Sequence, residues 1–199
     1  MGIAERRERE KEQMRQNILA KAMKLFVEDG YTNVSIRKIA EQIEYSPATI
    51  YLYFRDKDEI LYHLHEEAFR SFLTTLEPVM AIERPDKRLA KLAEAYLQFA
   101  LENPERYELM FIMKAPMKRQ ETWECGLNSF NLLRQTVQEC IEQNLIRGSD
   151  PEAASLALWA QVHGLASLVV CGRLEVMNPN DISHLITSTL DFFEKNLFE

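Results

Sequence analysis

Glycine is scarce in this sequence, with six in 199 residues. That argues against architectures built on many tight turns and against a glycine-rich phosphate loop, since both need backbone at positive φ or close approach to a ligand. Cysteine is scarcer: Cys125, Cys140 and Cys171 are odd in number and widely spaced, with no CxxC pair. Neither a zinc knuckle nor a disulfide framework fits, and a reducing cytoplasm is the expected compartment. A helical carboxylate metal enzyme, the catalytic alternative, needs two Glu-x-x-His pairs, whereas only Asp181-x-x-His184 comes near and His63 and His65 point to different faces. Neither HExxH nor GxSxG occurs, so the chain is read as not an enzyme, with no catalytic residue, metal ligand or cofactor assigned. From Met1 to Arg15, Glu alternates with Arg and Lys without an apolar stretch, unlike a secretory signal or transit peptide. One run, Ala153 to Gly172, lacks formal charge at about the length of a membrane span. Ser155, Gln161, His163 and Ser167 interrupt it and no basic flank sets a topology, so it reads as a buried helix with no membrane partner.

What is present suits a globular chain: 46% hydrophobic and 28% charged residues support a sizeable core. The net charge of −7 is unevenly spread. Residues 1–55 hold ten Lys or Arg against eight Asp or Glu, and the remainder holds 14 against 23. A mildly basic head on an acidic body lets the head approach nucleic acid while the body repels it.

Helical periodicity dominates. Met14, Ile18, Ala22, Leu25 and Phe26 form one amphipathic stripe, and Gly30 stands where a left-handed cap would end the helix near Asp29. Ser35 caps a short helix burying Ile36, Ile39, Ala40 and Ile43. Ser46-Pro47 is a second start signal, and Asp56 to Glu59 is a capping-box pattern opening a long helix. Beyond Pro78 the expected helices cover about 86–102, 104–115, 120–145, 151–173 and 180–197, with almost no alternating pattern. The fold class is all-α: a three-helix head with a helix-turn-helix, residues 1–56, plus a larger helical domain (about nine helices), residues 57–199.

A short helix, a tight turn and a second short helix opened by Ser-Pro form a unit whose second helix can enter the major groove. From Pro47 to Phe54, Ile50 and Phe54 can pack inward while Ala48, Thr49, Leu52 and Tyr53 stay available to DNA. Ala48 or the Thr49 methyl suits a thymine methyl, and Tyr51, Tyr53 and Lys57 suit phosphates. A small helical hairpin with surface tyrosines, in a non-DNA interaction module, is the alternative on pattern alone.

These residues resemble the TetR family of one-component bacterial transcriptional regulators. The resemblance rests on Ile18-Leu19-Ala20-Lys21-Ala22, Leu25-Phe26, Gly30-Tyr31, Val34-Ser35-Ile36-Arg37-Lys38-Ile39-Ala40, Ser46, Ile50-Tyr51-Leu52-Tyr53-Phe54 and Lys57. It implies that Arg37 reaches a base or phosphate, that Thr49 lies at the groove-facing start of the third helix, and that Tyr51, Tyr53 and Lys57 clamp the backbone. Ser46 joins them in the expected DNA-binding set. Glu44 stands where the family often has Gly, and Tyr53 where many members have His.

In the body, Trp159, His163 and Gly164 resemble the W-x-x-x-H-G signature of one C-terminal subgroup of that family. Trp159 and His163 share a helical face, either as a polar group at the wall of an effector pocket or as a core histidine bonded to a carbonyl, with Gly164 allowing close approach. Met110, Phe111, Met113, Trp123 and Phe130 are the other candidate pocket residues for a small hydrophobic or aromatic effector. The last two helices are the most apolar and are expected to meet a second copy through Leu165, Leu168, Val169, Leu185, Ile186 and Phe193. The expected function is a DNA-binding regulator, a repressor released from a palindromic operator by that effector. Its partners are a double-stranded operator, a second copy and the small molecule.

Overall fold

The computed structural model describes residues 2–114, 121–147, 150–177 and 181–198, with backbone only for 121–125. Among them it is all-helical, with ten α-helices: α1 (Ile3–Asp29), α2 (Ile36–Gln42), α3 (Pro47–Tyr51), α4 (Lys57–Leu76), α5 (Pro85–Glu102), α6 (Pro104–Tyr107), α7 (Glu121–Glu142), α8 (Pro151–Val170), α9 (Arg173–Met177) and α10 (Ile182–Phe198). Packing divides the chain into two compact units, Met1–Ala68 with Glu105–Thr122, and Phe69–Pro104 with Trp123–Glu199. This division differs from the boundary expected at 56/57, because the first turns of α4 and the segment from Glu105 pack with the N-terminal helices.

In the first unit the start and stop signals act as chemistry requires. Gly30 ends α1 at φ 77, its N–H donating to the Phe26 carbonyl at 3.0 Å, a conformation a side chain would strain. The Ser35 hydroxyl accepts from the Lys38 N–H at 3.2 Å to open α2. Asp56 accepts from the Glu59 N–H at 2.8 Å to open α4, and Glu59 in turn accepts from the Arg55 N–H at 2.5 Å. The apolar stripes meet inside: Ile18, Phe26, Ile39, Ile50, Phe54, Ile60 and Leu64 are almost fully buried. Each such side chain contributes about 1.5–3 kcal/mol of transfer free energy. Ile36, expected in this core, is only half-buried.

The segment expected as one helix over 104–115 is instead α6 followed by a π-helical turn at Glu108–Ile112, closed by the Met113 N–H on the Glu108 carbonyl at 2.9 Å. Three nearby residues, Tyr107, Leu109 and Met110, are buried, a closer spacing than one face of a regular helix offers, and the wider turn accommodates it. Short 3₁₀ turns at Tyr31–Asn33 and Glu77–Ala81, and α9, had no periodic signal long enough to mark them.

In the second unit α5 packs on α8 and α10. Leu89, Val137, Cys140 and Ile146 form a buried cluster flanked by Leu133, Leu145, Leu158 and Leu197. Burial pushes the Cys140 thiol up to about 11, so it stays an inert thiol. Arg88 of α5, itself buried, forms an ion pair with Glu139 of α7. Asp150 opens α8 by accepting from the Glu152 and Ala153 N–H groups at 3.0 and 3.4 Å.

Helix α8 is long and apolar enough to cross a membrane, yet only 22% of its apolar window is buried, and α10 has no buried residue. The expectation of a fully buried helix is therefore not met within one chain. The protomer buries one face of α8 and leaves Ala153, Leu156, Ala157, Ala160 and Leu168 exposed, whereas the exposed face of α10 is polar apart from Phe192 and its apolar residues are half-buried.

Candidate nucleic-acid interface

The chain between Gln42 and Pro47 turns sharply because Glu44 adopts φ 60, a left-handed conformation that glycine would adopt without cost. The Tyr45 N–H returns to the Ala40 carbonyl at 3.0 Å, closing the turn. Ser46 then caps α3, accepting from the Thr49 N–H at 3.3 Å, while its oxygen lies 3.2 Å from the Thr49 hydroxyl. With Pro47 at the first helical position, the five-residue helix starts without an unsatisfied N–H at that point. Ile50 and Phe54 anchor α3 in the core. The opposite face, Ala48, Tyr51 and Leu52 at i, i+3 and i+4, is exposed, with Tyr51 at 56% and Leu52 at 78%.

The expected DNA-binding residues thus divide by what already holds them. Ala48, Tyr51 and Leu52 present open surface. Thr49 and Tyr53 are half-buried. The Ser46 oxygen is occupied by the cap. Arg37 is exposed at the start of α2, its guanidinium 3.0 Å from Glu41 one turn on. Lys57 is the most constrained: its ammonium donates to the Tyr31 and Val34 carbonyls, both at 2.7 Å, and lies 4.0 Å from the centre of the Tyr31 ring. Burial lowers its pKa, against the opposing pull of Asp58. The Tyr31 phenol donates to the Asp58 carboxylate, and burial with this carboxylate pushes the phenol up, so it stays protonated. Lys57 and Asp58, the first two residues of α4, therefore fasten the loop between α1 and α2.

Sequence reasoning missed Tyr31 and Asp58 as a pair, since residues 27 apart carry no periodic signal. It also missed Tyr45, which is 48% exposed beside the turn. Arg15 of α1 stacks on Phe54 at 5.2 Å, bracing the end of the helix-turn-helix.

In the second unit, the Trp159 indole N–H donates to the Tyr96 hydroxyl at 3.3 Å, and that hydroxyl lies 2.9 Å from His163 Nδ1. Phe72 and Phe130 meet Tyr96 and Trp159 edge-on at 5.3 and 6.0 Å. Burial lowers the His163 pKa, favouring neutral imidazole. One partner of His163 is thus a phenol, and Tyr96 is a residue the sequence pattern concealed within the stripe of α5. Among the described residues a Cβ on Gly164 would meet nothing within 4 Å, so this glycine serves no close packing among them. Met110 is buried and Phe111 and Met113 half-buried in the first unit, whereas Phe130, Trp159 and His163 belong to the second. The Trp123 side chain lies outside the described residues.

Among the residues expected at a dimer contact, Leu165 requires correction. It is 6% exposed and spent in the protomer's own core, because it lies on the buried α8 face with Val162 and Ala166. Leu168 is 44% exposed, and Val169, Leu185, Ile186 and Phe193 are half-buried. Leu156 at 55% and Phe192 at 63%, neither anticipated, are the more open positions.

Comparison with known proteins agrees with both ends of the chain. The family described as tetracyclin repressor-like, C-terminal domain, matches residues 89–193, and the one described as bacterial regulatory proteins, tetR family, matches residues 18–64. An HTH-type transcriptional regulator of Staphylococcus aureus (strain bovine RF122 / ET3-1) is 30% identical over 90 residues, 45% of this chain and 49% of that protein. The chain thus spans about half the length of the curated relatives it matches. A protein with unknown function from Rhodococcus sp. RHA1 superposes with a TM-score of 0.74 at 29% identity, covering 93% of this chain and 95% of that one. For the TetR family transcriptional regulator PfmR from Thermus thermophilus the values are 0.68 and 25%, over 75% and 83%.

Proposed function

The chain belongs to the tetR family of bacterial regulatory proteins, and from that membership we propose a transcriptional repressor that binds a palindromic operator as a homodimer and leaves it when a small hydrophobic or aromatic effector binds. The observation carrying this reading is the capped α2-turn-α3 unit, whose second helix is anchored by Ile50 and Phe54 and open along Ala48, Tyr51 and Leu52. Such a helix is built to enter a major groove. In this reading Arg37, Thr49 and Tyr53 add contacts at its margins and Ser46 sets its start. The head of 1–56 reads DNA, the body of 57–199 takes the effector and the second copy, and both work in the cytoplasm, where the genome is.

The uncovered apolar face of α8, with Phe192 of α10, supports the homodimer, because soluble chains rarely leave such an apolar stretch to water. Gly164, with open space above it, lets a second α8 approach closely. A two-fold dimer sets two recognition helices about 34–36 Å apart, which calls for a palindrome. The Trp159–Tyr96–His163 chain of hydrogen bonds is the polar feature from which effector recognition would be built. Helix α4 is continuous from the first unit into the second, so effector binding at one end can bias the other. A coupling of about 1–3 kcal/mol, roughly 5- to 150-fold in operator affinity, is the scale required.

The test is to incubate the full chain with sheared DNA of its own genome and sequence the retained fragments at two salt concentrations. A shared palindrome that survives the higher salt is expected. Absence of any retained DNA would refute the reading.

A further inference from the structure

We infer that α3 reads its operator chiefly through the 5-methyl groups of thymine, with Leu52 and Ala48 as the reading side chains. The inference rests on the DNA-binding reading above and deepens it by naming the base chemistry recognised.

The argument begins with what α3 cannot do. Guanine is read best by the paired donors of Arg or Lys on O6 and N7, and adenine by the amide of Asn or Gln on N6 and N7. From Ile43 to Phe54 the chain contains no Arg, Lys, Asn or Gln. The two aliphatic hydroxyls, Ser46 and Thr49, are engaged in the cap. The Ser46 oxygen accepts the capping N–H, and the Thr49 hydroxyl is beside it at 3.2 Å. Tyr53 is half-buried. Lys57 donates to two carbonyls, and Arg37, on α2, is paired with Glu41.

What remains on the open face is mainly apolar. Leu52 is 78% exposed, one turn from exposed Ala48, with Tyr51 beside them supplying one phenol and a large ring. A leucine standing in water on an otherwise well-packed unit has its apolar surface unburied, and the major groove presents one apolar substituent among the four bases, the thymine methyl. Burying one methyl gains about fourfold in affinity. In a two-fold dimer with one contacted methyl in each half-site, the effect compounds to roughly 15-fold.

The experiment uses the full-length chain and an operator selected from random-sequence duplexes. Deoxyuridine then replaces thymidine throughout the half-sites, removing methyl groups and leaving every hydrogen-bonding group in place. The expected result is a loss of roughly 10-fold or more. Where a contacted T·A pair is changed to C·G, 5-methylcytosine should bind more tightly than cytosine, since it restores the methyl at the same place. Leu52→Ala, at a surface position that the fold does not need, should show a several-fold smaller preference for the thymine operator over the uracil operator than the unaltered chain, since only Ala48 then meets the methyl. Equal binding of both operators by the unaltered chain, or a selected motif with only G·C pairs in its half-sites, would overturn the inference while leaving DNA binding intact. Selection of no motif at all would overturn both.

Discussion

Two apolar surfaces stand open on this chain, and they differ in kind. The one on α3 is a single turn wide, made of Ala48, Tyr51 and Leu52, with the cations Arg37 and Arg55 nearby in sequence. The one on α8 runs along a long helix, carries Ala153, Leu156, Ala157, Ala160 and Leu168, and has no formal charge from Ala153 to Val170, with Phe192 of α10 the other exposed large apolar side chain of the last two long helices. A small apolar patch among polar and basic groups matches a charged, grooved partner that offers isolated methyls. A long uncharged face matches another protein surface of the same sort. Exposure of hydrophobic residues alone therefore identifies no partner; the length of the patch and the charge around it do.

The largest effect should come from charging the long surface. Leu156→Glu combined with Leu168→Glu would place carboxylates where a second copy is to pack. It should raise the dimer dissociation constant at least about 100-fold, near 3 kcal/mol. Sedimentation of the variant should show a 23.3 kDa species with an unchanged helical spectrum. Persistence of a dimer would move the contact elsewhere and weaken the contrast between the two surfaces.

A smaller effect bears on the short surface. Lys57→Met removes the ammonium from the Tyr31 and Val34 carbonyls and should lower thermal stability by about 1–2 kcal/mol. The slope of operator affinity against salt should stay as it was, because the ammonium is held by the loop. A slope reduced by about one would show instead that the ammonium sits on a phosphate when DNA is bound. Smallest of the three, Glu44→Gly relieves a left-handed residue at the turn. After the entropy lost by introducing glycine, a gain of roughly 0.5–1 kcal/mol is expected in thermal unfolding. No gain would mean that the Glu44 side chain contributes to the turn as much as its backbone costs.

Much of the head was legible in the sequence because its signals are local. Ser35, Ser46-Pro47, Asp56 and Gly30 each act within four residues, and each begins or ends the element its chemistry implies. The stripe of Ile18, Ala22, Leu25 and Phe26 likewise marks the inward face of α1. The pairing of Tyr31 with Asp58, and the hold of Lys57 on two carbonyls, depend on chain segments brought together only by folding. The same limit explains Leu165. The α8 sequence is apolar all round, so nothing in its period separates the face spent on its own core from the face left open. The phenol beside His163 was hidden for the same reason, since Tyr96 occupies an ordinary core position of α5 and only its hydroxyl sets it apart.

The π-helical turn at Glu108–Ile112 bears on how this chain tolerates changes of length. A π turn holds one residue more than an α turn. Deleting a single residue within it can convert it to regular helix, with the hydrogen-bonded ladder closing over the gap. The same deletion within α1 or α5 would rotate every downstream side chain by about 100° around the axis and carry the apolar stripe out of the core. Glu108–Ile112 is therefore a position at which a shorter chain can keep the fold, and a deletion scan should find a tolerant window there, in contrast to α1 and α5.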